Sequence, residues 1–192
     1  GAGVNNWDMA NGSDNEISFM SENELKIRKE IAIMKKCNHR NIVKLREVID
    51  DHRLRKIYLV LEYLEKGEIN WQVDDDSKNI EHCQQELERE YIYKPALSFK
   101  KARAVFRDVV LGLEYLHYQG IIHRDIKPAN LLISNDNIVK ISDFGVSFSI
   151  TLIEDNEYEL CKTAGTPAFY APELCSLDRE INCGIINHKI DI

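Results

Sequence analysis

The 192 residues are 44% apolar and carry a net charge of −7 with a pI near 5.4. This composition excludes a disordered tail and argues against a nucleic-acid footprint, because phosphate binding needs a surplus of Lys and Arg on one face. The five cysteines, at 37, 83, 161, 175 and 183, form no C-x-x-C pair, so neither a zinc site nor a secreted disulfide framework is indicated and a reducing, cytoplasmic or nuclear compartment is expected. No run approaches the ~18 uninterrupted apolar residues of a membrane span.

Taken in chain order, residues 1–20 are rich in Gly, Asn, Ser and Asp and read as a flexible arm. Ser21 and Glu24 have the spacing of a capping box, and Leu25, Ile27, Ile31 and Met34 follow on a charged background, which predicts a helix over 22–36. "NIVKLREVI" (41–49) and "KIYLVLEYL" (56–64) are rich in β-branched and aromatic residues around a turn-like "DDHRLR", and they read as paired strands. The acidic segment 72–90 reads as an exposed insertion, with a docking surface for a basic partner as the alternative.

Ser98 opens the strongest helix. Ala102, Val105, Phe106, Val109, Val110, Leu113 and Leu116 recur at three- and four-residue steps, which predicts one buried face, and Gly120 stands where a left-handed terminus is wanted. Next comes "HRDIKPAN" (123–130), a crowded polar octet, then the short apolar runs "NLLI" and "NIVKIS" around Ser134–Asn135–Asp136, which read as a hairpin. Residues 143–173 read as loop with an acidic patch at 154–159, and the chain shows no internal repeat.

An Asp in a charged loop is ordinary surface when it stands alone. Here the octet precedes a hairpin, "DFG" follows at 143–145, 18 positions after Asp125, and "GTPAFYAPE" occupies 165–173. In this order the three motifs resemble the catalytic loop, metal-binding triplet and substrate-side loop of the eukaryotic protein kinases. The resemblance implies an α+β, bilobal kinase-like fold present in part: an arm or insertion at 1–21, part of an N-lobe (one helix, two strands) at 22–64, and part of a C-lobe at 65–192. It also implies ATP and Mg²⁺ as cofactors and a protein substrate.

The physics agrees with that implication. Phosphoryl transfer asks the protein to hold Mg²⁺, neutralise phosphate charge and orient a hydroxyl. Mg²⁺ is usually held by one or two carboxylates plus substrate phosphates. Two loops joined by a tight hairpin can bring such ligands to one pocket.

By resemblance, Asp125 is the catalytic base and Lys127 steadies the transferred phosphate, with its spacing resembling the serine/threonine class. Asn130 and Asp143 are similar to the two metal ligands, and Thr166 to the residue that closes the substrate pocket against Asp125. Glu30 matches the helix glutamate that pairs with an ATP-binding lysine. The backbone of Glu62 and Leu64 resembles the adenine-facing hinge, Glu68 the ribose contact and Leu132 the apolar floor beneath the base. Met34, Leu45, His123 and Phe144 resemble the stacked column that links the lobes, anchored by Asp191. Arg124 is similar to the arginine that clamps a phosphorylated activation loop; Cys161, Lys162 and Thr163 stand near the usual phosphosite, and the acidic run Asp155, Glu157 and Glu159 reads either as a solvated flexible loop or as charge supplied in place of phosphate.

A narrower resemblance lies in "IRKEIAIMKKCNHRNIVKLREVIDD", "VVLGLEYLHYQGIIHRDIKPANLLIS" and "ISDFGVS". These stretches are similar to the branch of the calcium/calmodulin-dependent protein kinase kinases and their fungal relatives, the morphogenesis and bud-neck kinases of yeasts among them. That branch phosphorylates the activation loop of the AMP-activated protein kinase family. No glycine-rich loop with a following lysine strand is found, Glu173 has no visible arginine partner, and the central helix that Asp191 would open is not present. The span is therefore expected to be inactive by itself. A non-catalytic, kinase-like interaction module is the alternative reading.

Overall fold

The computed structural model describes residues 22–51, 53, 54, 56–71, 96–151, 159, 160, 162, 164–175 and 186–192. The expected arm 1–21 with its Ser21 cap, the acidic segment 72–90, and Asp155, Glu157, Cys161 and Thr163 lie outside these residues.

Helix α1 runs Glu22–Lys36, as its periodicity predicts, and turns Ile31 and Met34, with Ile33 and Cys37, into the core. Strand β1 (Leu45–Asp51) pairs antiparallel with β2 (Lys56–Leu61), with a register irregularity between Leu45 and Glu47. Both strands are shorter than predicted. Asn41–Val43 pair instead with residue 141, through Ile141 N–H to Asn41 O and Val43 N–H to Ile141 O, each 2.9 Å. At the other end the chain after Leu61 leaves the ribbon and turns at Gly67 (φ 63°). β-propensity marks such residues as extended but does not say which partner takes their hydrogen bonds.

Helix α2 (Phe99–Tyr118) starts where Ser98 Oγ accepts the Lys101 N–H and stops before Gly120, whose φ of 70° is the left-handed conformation expected of it. Its buried face is narrower than the pattern predicts. Val109, Leu113 and Leu116 are buried, but Phe106 is 67% exposed and Val110 is also open to solvent. Those two flank an apolar groove that continues over Ala102 and Val105, so periodicity marked the apolar stripe correctly but overstated how much of it is covered. No described helix is long and apolar enough to cross a membrane.

The hairpin forms as predicted, β4 (Leu131–Ile133) against β5 (Val139–Ile141), with Asn137 at positive φ in its turn. The two-residue strands β3 (Ile121–Ile122) and β6 (Phe148–Ser149) form a second small pair that brackets it in sequence. Residues 143–173, read as loop, contain β6 and the short 3₁₀ turn Pro167–Phe169. One hydrophobic cluster joins α1 (Ile33, Met34), α2 (Leu113, Leu116) and the hairpin (Val139, Ile141) with Phe144. The architecture is α+β.

Gly112 shows how tightly α2 sits on this cluster. A Cβ there would lie 2.9 Å from Ile141 Cδ1 and 3.0 Å from Asn41 O. Overpacking of this kind costs about 1–3 kcal/mol, against the ~1 kcal/mol that Ala gains over Gly in helix propensity. Gly112→Ala is therefore expected to lower stability in denaturant titration of the full-length protein, despite being the better helix former.

Candidate active site

The loop at 123–130 is built around a buried ring. His123 is fully enclosed, its N–H donates to Asp191 Oδ2 at 2.8 Å, and its ring stands edge-on to Phe144 with centroids 5.2 Å apart. Nδ1 accepts the Asp125 N–H at 3.3 Å, so Nε2, 2.9 Å from the Ser142 carbonyl, must carry the proton of the neutral ring. Burial lowers the ring's pKa from 6.5 against the opposing pull of Asp191, the Ser142 carbonyl, Asp143 and Asp125.

A depressed histidine pKa contributes stability that is fully present above the unfolded value and is lost as pH falls below it. Unfolding free energy is therefore expected to drop by up to about 1.4 kcal/mol per pH unit from this group as pH falls below roughly 6.5. Denaturant titrations of the full-length protein at stepped pH should show this slope, and His123→Phe should lack it.

Asp191 holds the start of the loop. Its carboxylate accepts the N–H groups of His123 (2.8 Å) and Arg124 (2.7 Å) and lies 2.9 Å from His117 Nε2. Arg124 has φ 69°, a conformation unfavourable for a residue with a side chain, and these bonds help to hold it. Its guanidinium donates to the Val146 carbonyl at 2.6 Å and the Glu159 carbonyl at 3.0 Å. The Glu159 carboxylate pairs with Lys162.

Asp125, only 9% exposed, sits at the centre of a closed polar set. Oδ1 accepts Thr166 Oγ1–H at 2.7 Å, and Oδ2 lies 2.8 Å from Lys127 Nζ and 3.1 Å from Asn130 Nδ2. Lys127 Nζ also reaches Thr166 Oγ1 at 2.7 Å, and Asn130 Nδ2 donates to the Asp125 carbonyl at 2.8 Å. Burial pushes the Asp125 pKa up, but the bonds from Lys127, Thr166 and Asn130 outweigh it and hold the carboxyl below its ordinary value. Thr166 can come this close because Gly165 precedes it: at φ 96°, a Cβ there would lie 2.2 Å from Arg124 O.

The hairpin returns the chain to this loop. Ser142 N–H and Oγ–H both donate to Asn130 O, at 2.9 and 3.1 Å. Asp143 follows at φ 63°, with its exposed carboxylate accepting the Gly145 N–H at 3.2 Å. Thus Asp125 and Asp143 both act on the one buried ring of His123. Glu30 of α1 faces Asp143: burial first, and then the charge of Asp143, raise its pKa. A Cβ on Gly145 would meet both, at 3.3 Å from Asp143 Oδ1 and 3.9 Å from Glu30 Oε2. Among the described residues neither carboxylate has an ion-pair partner, and Glu173 likewise has none.

The remaining predicted residues line a second strip. Glu68 bridges Leu132 across the strip, with Ile133 N–H to Gly67 O at 2.8 Å and Ile69 N–H to Leu131 O at 3.1 Å. Leu64 is buried beside it and its carbonyl accepts the Gly67 N–H. Met34, His123 and Phe144 are buried, Leu45 packs on the same cluster, and Asp191 anchors His123. Two features escaped sequence reasoning: buried Asp108, which accepts the Val139 N–H at 3.1 Å, and the side chain of Glu62, which meets Lys140. No local spacing signals either one.

A family model described as protein kinase domain matches residues 15–192. The chain belongs to the protein kinase family. It is 56% identical over 174 residues to the serine/threonine-protein kinase ssp1 of Schizosaccharomyces pombe, covering 90% of this chain and 24% of that protein. It is 55% identical over 165 residues to SNF1-activating kinase 1 of Saccharomyces cerevisiae (82% and 14%). It is also 48% identical over 147 residues to a calcium/calmodulin-dependent protein kinase kinase of Caenorhabditis elegans (77% and 23%). This kinase chain thus spans about a quarter or less of the length of these relatives, and its similarity falls within the branch that the sequence resembles.

Proposed function

We propose that the chain is the catalytic part of a cytoplasmic protein serine/threonine kinase that transfers the γ-phosphate of ATP to a protein hydroxyl. Its substrate on this reading is the activation loop of an AMP-activated-type kinase, which similarity to SNF1-activating kinase 1 supports. The observation that carries the catalytic reading is the closed set Lys127–Asp125–Thr166, with Asn130 on the same carboxylate.

In this reading Asp125 orients the substrate hydroxyl and accepts its proton. Because its pKa is held low, it is a weak base in the resting state, and positioning is its larger contribution. Lys127 lies between that carboxylate and Thr166, where its charge can meet a transferring phosphate. The donor chemistry fits Mg²⁺. Asn130 commits Nδ2 to Asp125, its Oδ1 has no hydrogen-bond partner among the described residues, and Asp143 presents an exposed carboxylate, giving hard oxygens without sulfur or imidazole. Bound there, the ion would neutralise charge on the phosphate oxygens. Glu62, Leu64, Glu68 and Leu132 would line the nucleoside side, and Glu30 is poised for a cationic partner. Lobes at 22–64 and 65–192 belong to the same reading.

Incubating the full-length protein with Mg·ATP and an inactive AMP-activated-type kinase tests the proposal. Phosphate on the substrate's activation loop is the expected result. Nucleotide binding without transfer to any protein substrate would favour the interaction module instead.

A further inference from the structure

Glu62 and Lys140 stand 78 residues apart in sequence, and their side chains are only 14% and 15% exposed. Lys140 Nζ donates to both carboxylate oxygens, at 2.9 Å to Oε1 and 2.8 Å to Oε2. Oε1 also accepts the Lys44 backbone N–H at 2.7 Å, and the Glu62 N–H donates back to the Lys44 carbonyl at 2.9 Å. Charges taken this far from water are tolerated only when paired and hydrogen-bonded, and this carboxylate meets that condition with two partners from different elements.

The placement gives the pair a purpose. Lys44 and Glu62 lie at the open end of the β1–β2 ribbon, whereas Lys140 belongs to β5. One carboxylate therefore ties both strand ends of the α1–ribbon unit to the C-terminal hairpin. A second strap lies farther along, where Lys66 Nζ donates to Asn135 O at 2.6 Å and Asn137 Oδ1 at 2.7 Å. The segment 62–69 carries both straps, at Glu62 and Lys66, and its far end, Gly67–Ile69, pairs with β4 around Leu132.

We propose that the Glu62–Lys140 ion pair is a positioning device that holds the backbone of 62–64 at a set distance from Leu132, so that the width of the adenine slot is established before nucleotide enters. Lys140 touches no nucleotide in this arrangement and acts through Glu62 and the backbone that Glu62 grips. The nucleotide part of the proposal rests on the kinase reading. The strap itself does not depend on that reading.

Lys140→Met in the full-length protein keeps the aliphatic stem and removes the charge. Amide hydrogen exchange at Lys44 and Glu62, measured without nucleotide, is expected to accelerate at least about tenfold. The KM for ATP is expected to rise about fivefold, with a smaller change in kcat. Stranding the Glu62 carboxylate will also lower the melting temperature, so the double variant Lys140→Met/Glu62→Gln separates positioning from stability. Its glutamine still accepts the Lys44 N–H and leaves no unpaired charge, so the melting temperature should recover while the KM stays at the level of the single variant. Parental exchange rates at both amides in Lys140→Met would overturn the proposal, as would a KM that returns to the parental value together with the melting temperature. Should the parent neither bind nor turn over ATP, that failure would count against the kinase reading, and the exchange comparison would still decide the strap.

Discussion

Asp125→Asn in the full-length kinase is expected to reduce kcat for phosphate transfer by about 10²–10⁴-fold, the usual contribution of a positioned acid–base group, while KM for ATP changes little. The substitution preserves shape. Asparagine keeps one oxygen: turned toward Thr166 Oγ1 it sets its NH₂ against Lys127 Nζ and Asn130 Nδ2, and turned toward Asn130 it offers Lys127 Nζ, now 2.8 Å from Oδ2, only a neutral acceptor. What disappears is the negative charge and the capacity to accept a proton. Steady-state kinetics with a protein substrate measures the effect, and retained nucleotide affinity separates it from misfolding. A fall in nucleotide binding equal to the fall in kcat would mean that Asp125 serves the fold, not the reaction.

The largest effect on stability is expected at Asp191. Its carboxylate is fully withdrawn from solvent and accepts three donors, the backbone N–H groups of His123 and Arg124 and the His117 ring. Asp191→Ala leaves the buried His123 N–H without a partner and opens space beside it. Each orphaned buried donor costs about 1–3 kcal/mol, so a loss of ~3–5 kcal/mol is expected, a large share of the ~5–15 kcal/mol that holds a domain together. Asp191→Asn keeps one oxygen acceptor and should lose less. Thermal unfolding gives the order parent, Asn, Ala; hydrogen exchange at the 123 and 124 amides should rise in the same order. Since Arg124 sits at φ 69°, loss of these bonds also frees the loop to relax and displace Asp125.

The polar set of the 123–130 loop could be read from the sequence because its contacts are local. The residues from His123 to Asn130 meet one another across a few positions, the hairpin needs only a polar turn between two apolar runs, and Gly120 reports its own positive φ. Thr166 was found through its motif, and the structure supplies the reason it reaches Asp125, the absent Cβ of Gly165. Other features depend on partners that no spacing reveals. Asn41 Nδ2 bonds Val139 O across 98 positions, Glu62 meets Lys140 across 78, and Asp108 accepts the Val139 N–H across 31. Propensity assigns 41–44 to a strand because Ile42 and Val43 are apolar and β-branched. Tertiary proximity to Ile141 decided where their hydrogen bonds went. Phe106 and Val110 make the same point for helices: period 3.6 identifies an apolar stripe but not what covers it.

In the proposed function Asn130 and Asp143 hold one divalent ion within reach of Asp125. Titration of Mn²⁺ into the full-length kinase with a non-hydrolysable ATP analogue, followed by electron paramagnetic resonance, addresses this directly. Saturable binding is predicted for the parent, weakened at least about tenfold by Asn130→Ala and by Asp143→Asn, the latter at an exposed side chain and so with little loss of melting temperature. Parental Mn²⁺ affinity in both variants would contradict it.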